Sequence, residues 1–354
     1  MLQRYLFSFV FKCILSIFAL IMVISKIVNN IVKIVFPLIL GGAILYWMYR
    51  DFDFSNIRKI LLYEMDWVWM LLSLPFGIMA QVFRGWRWKQ VLEPVNERPR
   101  ISVSINSIFI SYAVSLLIPR IGEFARCGIL HRYDRINFPK ALGTVVTERA
   151  VDTLIILLIT ALAFVLQIRV FANFFLKTGT RLDNILEMFT PMGWGVTAIC
   201  GIAAILLLYI IFKKFSINNR ISNTFSGIWQ GVLSLKGVNN VPLFLFFSFA
   251  IWISYFFHYY LTFFCFAETS HLGLTCAIVS FVVGSIAVIV PTPNGAGPWH
   301  FAVKTMLILY GVNDIHALYF VLIVHTIQTF LVILLGIYAW IALSFTKKAI
   351  LTNN

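Results

Sequence analysis

The stretch SLLIPRIGEFAR, Ser115 to Arg126, closes an apolar run and puts Pro119, Arg120, Gly122, Glu123 and Arg126 where hydrocarbon is expected. A charged side chain at the bilayer centre costs roughly 2.5–3.5 kcal/mol on insertion scales, so such residues face a cavity, a partner or a site. The fold is expected to turn here, and function is expected here too.

The surrounding composition makes the placement informative. Of 354 residues, 60% are hydrophobic and only 12% charged, with a mean hydropathy of +0.90. These values exclude an ordinary soluble domain and indicate an all-α, polytopic integral membrane protein. Spanning helices are expected at Ile34–Met48, Trp67–Phe83, Ala141–Ile168, Trp194–Phe212, Val241–Phe266 and Leu318–Phe345, near the ~20 residues a bilayer requires. The longer polar interruptions, 171–192 and 213–240, keep many large apolar residues and read as loops with interfacial helices. Two further apolar stretches, Ile101–Ile118 and Leu272–Val290, stop at prolines.

Net charge is +14, but the basic residues sort by loop rather than forming a nucleic-acid patch. One set of loops holds Arg98, Arg100, Arg132, Arg135 and Lys140, with others near 213–236 and Lys347; the opposite set is balanced by Asp51, Asp53, Glu64, Asp66, Asp183 and Glu187. By the positive-inside rule the first set, and with it the C-terminus, is cytoplasmic.

Basic loops on both sides of Ile101–Ile118 conflict with a single crossing. The stretch is expected to dip in from the cytoplasm, break at Pro119 to Gly122 and return through Glu123 to Leu130. Irregular backbone at that depth is tolerated where protein buries it or water reaches it. The second half repeats the plan upside down: Leu272 to Val290 enters from outside, breaks at Pro291, Pro293, Gly295 and Gly297, and returns through Phe301 to Gly311. Two inverted repeats follow, about 31–170 and 190–348, each of three spanning helices and a re-entrant hairpin. Paired broken segments in inverted halves point to a transport site near the midplane. The competing reading makes both hairpins full crossings with short loops.

Residues 1–30 form an N-terminal hydrophobic or interfacial extension interrupted by Lys12, unless translation starts at Met22. The five cysteines lie singly in apolar sequence without a CxxC pair and read as small buried hydrophobes.

Three constellations remain. Arg84-Gly-Trp-Arg87-Trp88 reads either as an interfacial anchor or as a phosphate clamp, arginine being suited to bidentate contact with phosphate oxygens. Glu148 and Asp152 stand one helical turn apart and repel unless a cation such as Arg120, Arg126 or Arg149 lies between them; the alternative is a solvated helix start. The third, Pro291 to His300, frees backbone N–H groups that could face an anion. His300 is its only titratable group; His258, His316 and His325 lie in apolar helices without a carboxylate at metal spacing, so no metal site is expected.

These motifs in this order, with Pro119-x-x-Gly122-Glu123-x-x-Arg126, Glu148-Arg149-x-x-Asp152 and Pro-x-Pro-x-Gly-x-Gly from Pro291 to Gly297, resemble the flippase-like transmembrane domain of lysylphosphatidylglycerol synthases, over about Ile34 to Lys347. The resemblance implies a stand-alone member of the bacterial inner membrane, without the cytosolic aminoacyltransferase domain, that moves an anionic or modified phospholipid between leaflets and is not an enzyme. It departs from the family at Asn294, where glycine is usual, at His300, near which a carboxylate is usual, and at Ser115, where asparagine is common.

The expected headgroup-binding residues are Arg84, Arg87, Arg120, Arg126 and Arg149, with Glu123, Glu148 and Asp152 balancing charge or coupling protons and His300 as a further candidate. No cofactor is implied. The expected partners are membrane lipids and, beyond them, a lipid-modifying enzyme. The rival functions are a membrane-embedded lipid-phosphate transferase using Glu148 or Asp152 as general base, and a non-transporting partner of such an enzyme.

Overall fold

The computed structural model describes residues 35, 38–50, 52–166 and 219–347, and every regular element among them is helical. The expectations for residues 1–30 and for the span Trp194–Phe212 lie outside the described residues.

Helix α1, Leu38–Tyr49, is a short apolar helix. Short 3-10, α and π turns from Phe54 to Glu64 lead to α2, Trp67–Leu92, whose N-cap Asp66 accepts from the Val68 N–H. Then follow α3, Ile101–Ser115; α4, Ile121–Asp134; α5, Phe138–Leu166; α6, Asn219–Val232; α7, Val241–Tyr260; α8, Leu274–Ala287; α9, Pro298–Leu309; and α10, Asp314–Ser344. Among the described residues, three helical stretches are long and apolar enough to cross a membrane: Trp67–Val95, Val241–Cys265 and Asp314–Ser344. On α5, Leu154, Leu158, Leu162 and Val165 are exposed at helical spacing, an apolar stripe suited to hydrocarbon and costly in water.

The two broken stretches fold back on themselves. At 1.5 Å per residue, α3 and α8 reach only about 21–22 Å, short of a hydrocarbon core of ~30 Å. Packing of α3 on α4, and of α8 on α9, makes two helical hairpins. Both ends of the first lie together: Arg100 Nε reaches Asp134 Oδ1 at 2.6 Å, and Lys140 Nζ reaches Glu97 Oε1 at 3.5 Å. The ends of the second are joined by His316 Nε2 and Glu268 Oε1 at 3.5 Å, so His316 does face a carboxylate, supplied by a distant turn that spacing could not reveal.

Helix α2 separates these two ends. Its start meets the end of the α7 segment, where the Asp66 N–H donates to the Cys265 carbonyl at 2.9 Å. Its far end leads into the Glu97 and Arg100 loop. The hairpins therefore enter the bundle from opposite ends. Each also packs on a helix remote from it in the chain. Helix α3 packs on α10, with Ala113 against Gly336, and α8 packs on α5 through Val279, Val282 and Ala163. Helices α2 and α7 pack closely where a Cβ on Gly77 would fall on the His258 ring.

Candidate functional site

The first break begins where the last turn of α3 tightens, the Leu116 N–H bonding the Ala113 carbonyl. Pro119 has no N–H and disfavours α conformation in its predecessor. Arg120 then takes a left-handed φ of 65°, and α4 starts at once. Gly122 is required here because a Cβ would collide with the Ser111 carbonyl oxygen and Ser115 Oγ.

Helix α4 lies along α5, and the two exchange charge in alternating sense. Glu123 Oε1 accepts from Arg149 Nε at 2.6 Å, while Arg126 Nη1 stands 2.7 Å from Glu148 Oε2. Helix α2 adds two arginines from the other side. Arg84 Nη1 donates to Asp152 Oδ2 at 2.6 Å, and Arg87 Nη2 stands 2.8 Å from Asp152 Oδ1. Arg87 Nε also lies 3.7 Å from Glu148 Oε1. Glu148 follows the start of α5 by ten residues, about 15 Å along the axis, and its side chain is 0% exposed. A solvated helix start is thereby excluded.

The interfacial-anchor reading of Arg84 to Trp88 fails as well. Arg84 and Arg87 are buried, and Trp88 is fully buried. The Trp88 ring lies 4.4 Å beneath the Arg126 guanidinium, a cation–π contact worth about 0.5–2 kcal/mol. Its Nε1 donates to Thr144 Oγ1 at 2.9 Å. Positions 84, 87, 88 and 91 share the inward face of α2, a periodicity that the repeated arginine–tryptophan pattern masks.

This cluster is tight but imperfectly bonded. Three buried guanidiniums face two buried carboxylates, leaving one excess positive charge. The N–H groups of Arg126 are aligned with no acceptor despite the short distance to Glu148, and Nε and Nη2 of Arg87 are similarly misaligned. These atoms are closed to solvent, so the cluster is sealed as it stands. Arg149 is 46% exposed and Arg120 is exposed.

Arg120 is the one expected headgroup ligand that the structure places away from the acids. Its Nη2 donates to the Ile289 carbonyl at 3.2 Å, in the turns that end α8. The two breaks thus meet, and a cation from the first satisfies a carbonyl of the second.

The second break runs through Asn294, Gly295 and Gly297, all with positive φ. A Cβ on Gly297 would press on the Gly41 carbonyl and Ile44 of α1. His300 Nδ1 accepts from the Gly297 N–H at 3.3 Å. Neighbouring polar groups had no signal in the linear sequence. His325 and Thr329 project one turn apart from α10. Asn294 Nδ2 donates to Thr329 Oγ1 at 2.8 Å, and His325 Nε2 lies 3.1 Å from the Asn294 carbonyl. The His300 and His325 ring centroids are 4.4 Å apart. Cys127, Cys265 and Cys276 are free and buried, as small apolar side chains.

A family model described as Lysylphosphatidylglycerol synthase TM region matches residues 34–336. No curated protein matches the chain, and no solved structure does.

Proposed function

From the premise that this chain belongs to the lysylphosphatidylglycerol synthase TM-region family of membrane proteins, we propose that it is a lipid transporter of the bacterial inner membrane, with a cytoplasmic C-terminus, that moves an anionic or modified phospholipid between leaflets. The observation that carries this reading is the meeting of the two helix breaks at Arg120 and Ile289, together with a buried cluster that holds an excess of positive charge. Discontinuous helices from two halves, converging on charged groups, are what alternating access around a headgroup site requires.

The architecture we propose is two inverted repeats, in which α2 corresponds to α7, the α3–α4 hairpin to α8–α9, and α5 to α10. Entry of the hairpins from opposite ends supports it, as does the packing of each hairpin on the other repeat's last helix. Arg120 and Arg149, which are exposed, make the first contact with a phosphate. Arg84, Arg87 and Arg126 become available only if rocking of the repeats opens the sealed cluster, with Glu123, Glu148 and Asp152 holding the arginines in place meanwhile. Acyl chains stay in hydrocarbon throughout.

The transferase reading is less well supported. Both oxygens of Asp152 face guanidiniums and Glu148 is wholly buried, so neither acid is open to a substrate as general base. The test is movement of labelled lipids across liposomes holding the purified protein. Intact chain should move an anionic lipid and Arg120→Ala should not, at equal insertion; full activity of the variant would refute the assignment.

A further inference from the structure

The charge inventory of the two breaks narrows the headgroup. Within the helices that build the site the acids are Glu123, Glu148 and Asp152, each facing an arginine, and Asp134, which ends α4 away from the break and is held by Arg100. From Met188 to Asn354 the sequence holds only two acids, Glu268 and Asp314. Both lie at the outer end of the second hairpin, the first against His316 and the second against Lys304 at 2.8 Å. Five arginines therefore stand against three carboxylates. Arg120 has a backbone carbonyl for its hydrogen-bond partner instead of an acid. An ammonium group brought to this place would meet no free carboxylate and would face uncompensated guanidiniums.

The second break is polar but uncharged. Asn294, Thr329, His325 and His300 surround it, and the neutral form of His300 is what lets Nδ1 accept the Gly297 N–H. Nearby, Thr292 Oγ1 and the Tyr49 hydroxyl are buried with no hydrogen-bond partner. A buried hydroxyl left unpaired costs about 1–3 kcal/mol, and a ligand hydroxyl would supply what it lacks. Phosphate chemistry is thus offered at Arg120 and Arg149, and hydroxyl chemistry at the break that Arg120 touches.

We infer that the headgroup is a phosphodiester whose remainder is uncharged and hydroxylated, a glycerol or sugar, and that cationic aminoacyl headgroups are rejected. The inference rests on the lipid-transport reading but concerns recognition, which can be measured apart from movement.

The experiment is lipid retention by the full-length chain. Purified protein is equilibrated with equal amounts of phosphatidylglycerol, phosphatidylethanolamine and lysylphosphatidylglycerol, and bound lipid is quantified by mass spectrometry. Phosphatidylglycerol should be retained at least tenfold over the lysyl lipid, with phosphatidylethanolamine between them. Arg120→Ala should lose the preference. Arg149→Ala frees the Glu123 carboxylate and should raise retention of the lysyl lipid toward parity.

Equal retention of all three lipids by the intact chain, or a preference for the lysyl lipid, overturns the inference. Glycerophosphoglycerol, the headgroup without acyl chains, should displace bound phosphatidylglycerol at least tenfold better than inorganic phosphate; equal displacement overturns the hydroxyl half. Selective retention without transbilayer movement would refute transport and leave this recognition standing.

Discussion

Glu148→Gln keeps the shape of the side chain and removes one buried charge, which makes it the sharpest probe of the cluster. Arg126, at 1% exposure, has Glu148 as its carboxylate; without it, the contact with Trp88 offers about 0.5–2 kcal/mol, too little to offset a stranded guanidinium. Breaking a buried pair from one side costs ~3–5 kcal/mol, and the variant should lose about that much. Arg126→Met should cost less, because Glu148 keeps Arg87 Nε at 3.7 Å. Joining the two changes removes both charges together, and the double variant should recover at least ~2 kcal/mol relative to the sum of the singles. Equilibrium unfolding in mixed micelles, followed by tryptophan fluorescence, measures all four corners of the cycle. Single losses below about 1 kcal/mol, or strict additivity, would refute the account of a sealed, mutually dependent cluster.

Other outcomes follow from the same geometry. Arg100→Ala breaks a pair in which the arginine is 44% exposed and should cost no more than about 1 kcal/mol by the same unfolding assay. Gly122→Ala drives a methyl group onto the Ser111 carbonyl and should abolish folded yield on size-exclusion chromatography, whereas Gly128→Ala, where a Cβ meets nothing within 4 Å, should leave it unchanged. Cysteine placed at Asn96 and at His271 should be labelled by impermeant maleimide from opposite faces of oriented vesicles; labelling from one face would refute the inverted arrangement of the hairpins.

Much of this architecture is legible in linear sequence because the bilayer restricts what apolar runs can do. The proline and glycine breaks at 119–122 and 291–297 mark the hairpins, and positive charge on both sides of Ile101–Ile118 agrees with a stretch that folds back on itself. Two kinds of information stay hidden. His325 and Thr329 meet the carbonyl and the side-chain amide of Asn294, some thirty positions earlier in the chain, and no local pattern marks such a pairing. The arginines of α2 look interfacial because charge beside tryptophan is common at membrane surfaces. Their inward direction depends on where α2 packs against α3 and α5, which only tertiary packing decides. Of the cations expected near Glu148 and Asp152, Arg126 meets Glu148 and Arg149 stands 3.9 Å from Asp152, while the residue that spans both acids is Arg87 of α2.

The packing of α3 on α10 also has a consequence for biosynthesis. Gly336, which receives Ala113, follows it by 223 residues, and at 5–20 residues per second the ribosome needs roughly 11–45 s to make that stretch. Through this interval the first hairpin, with Arg120 at its tip, waits in the membrane without the helix that completes its packing. Cells making this protein must shield a half-built charged hairpin from hydrocarbon for that long, so its yield should respond to the supply of membrane insertase more steeply than that of a protein whose helices pack in order of synthesis.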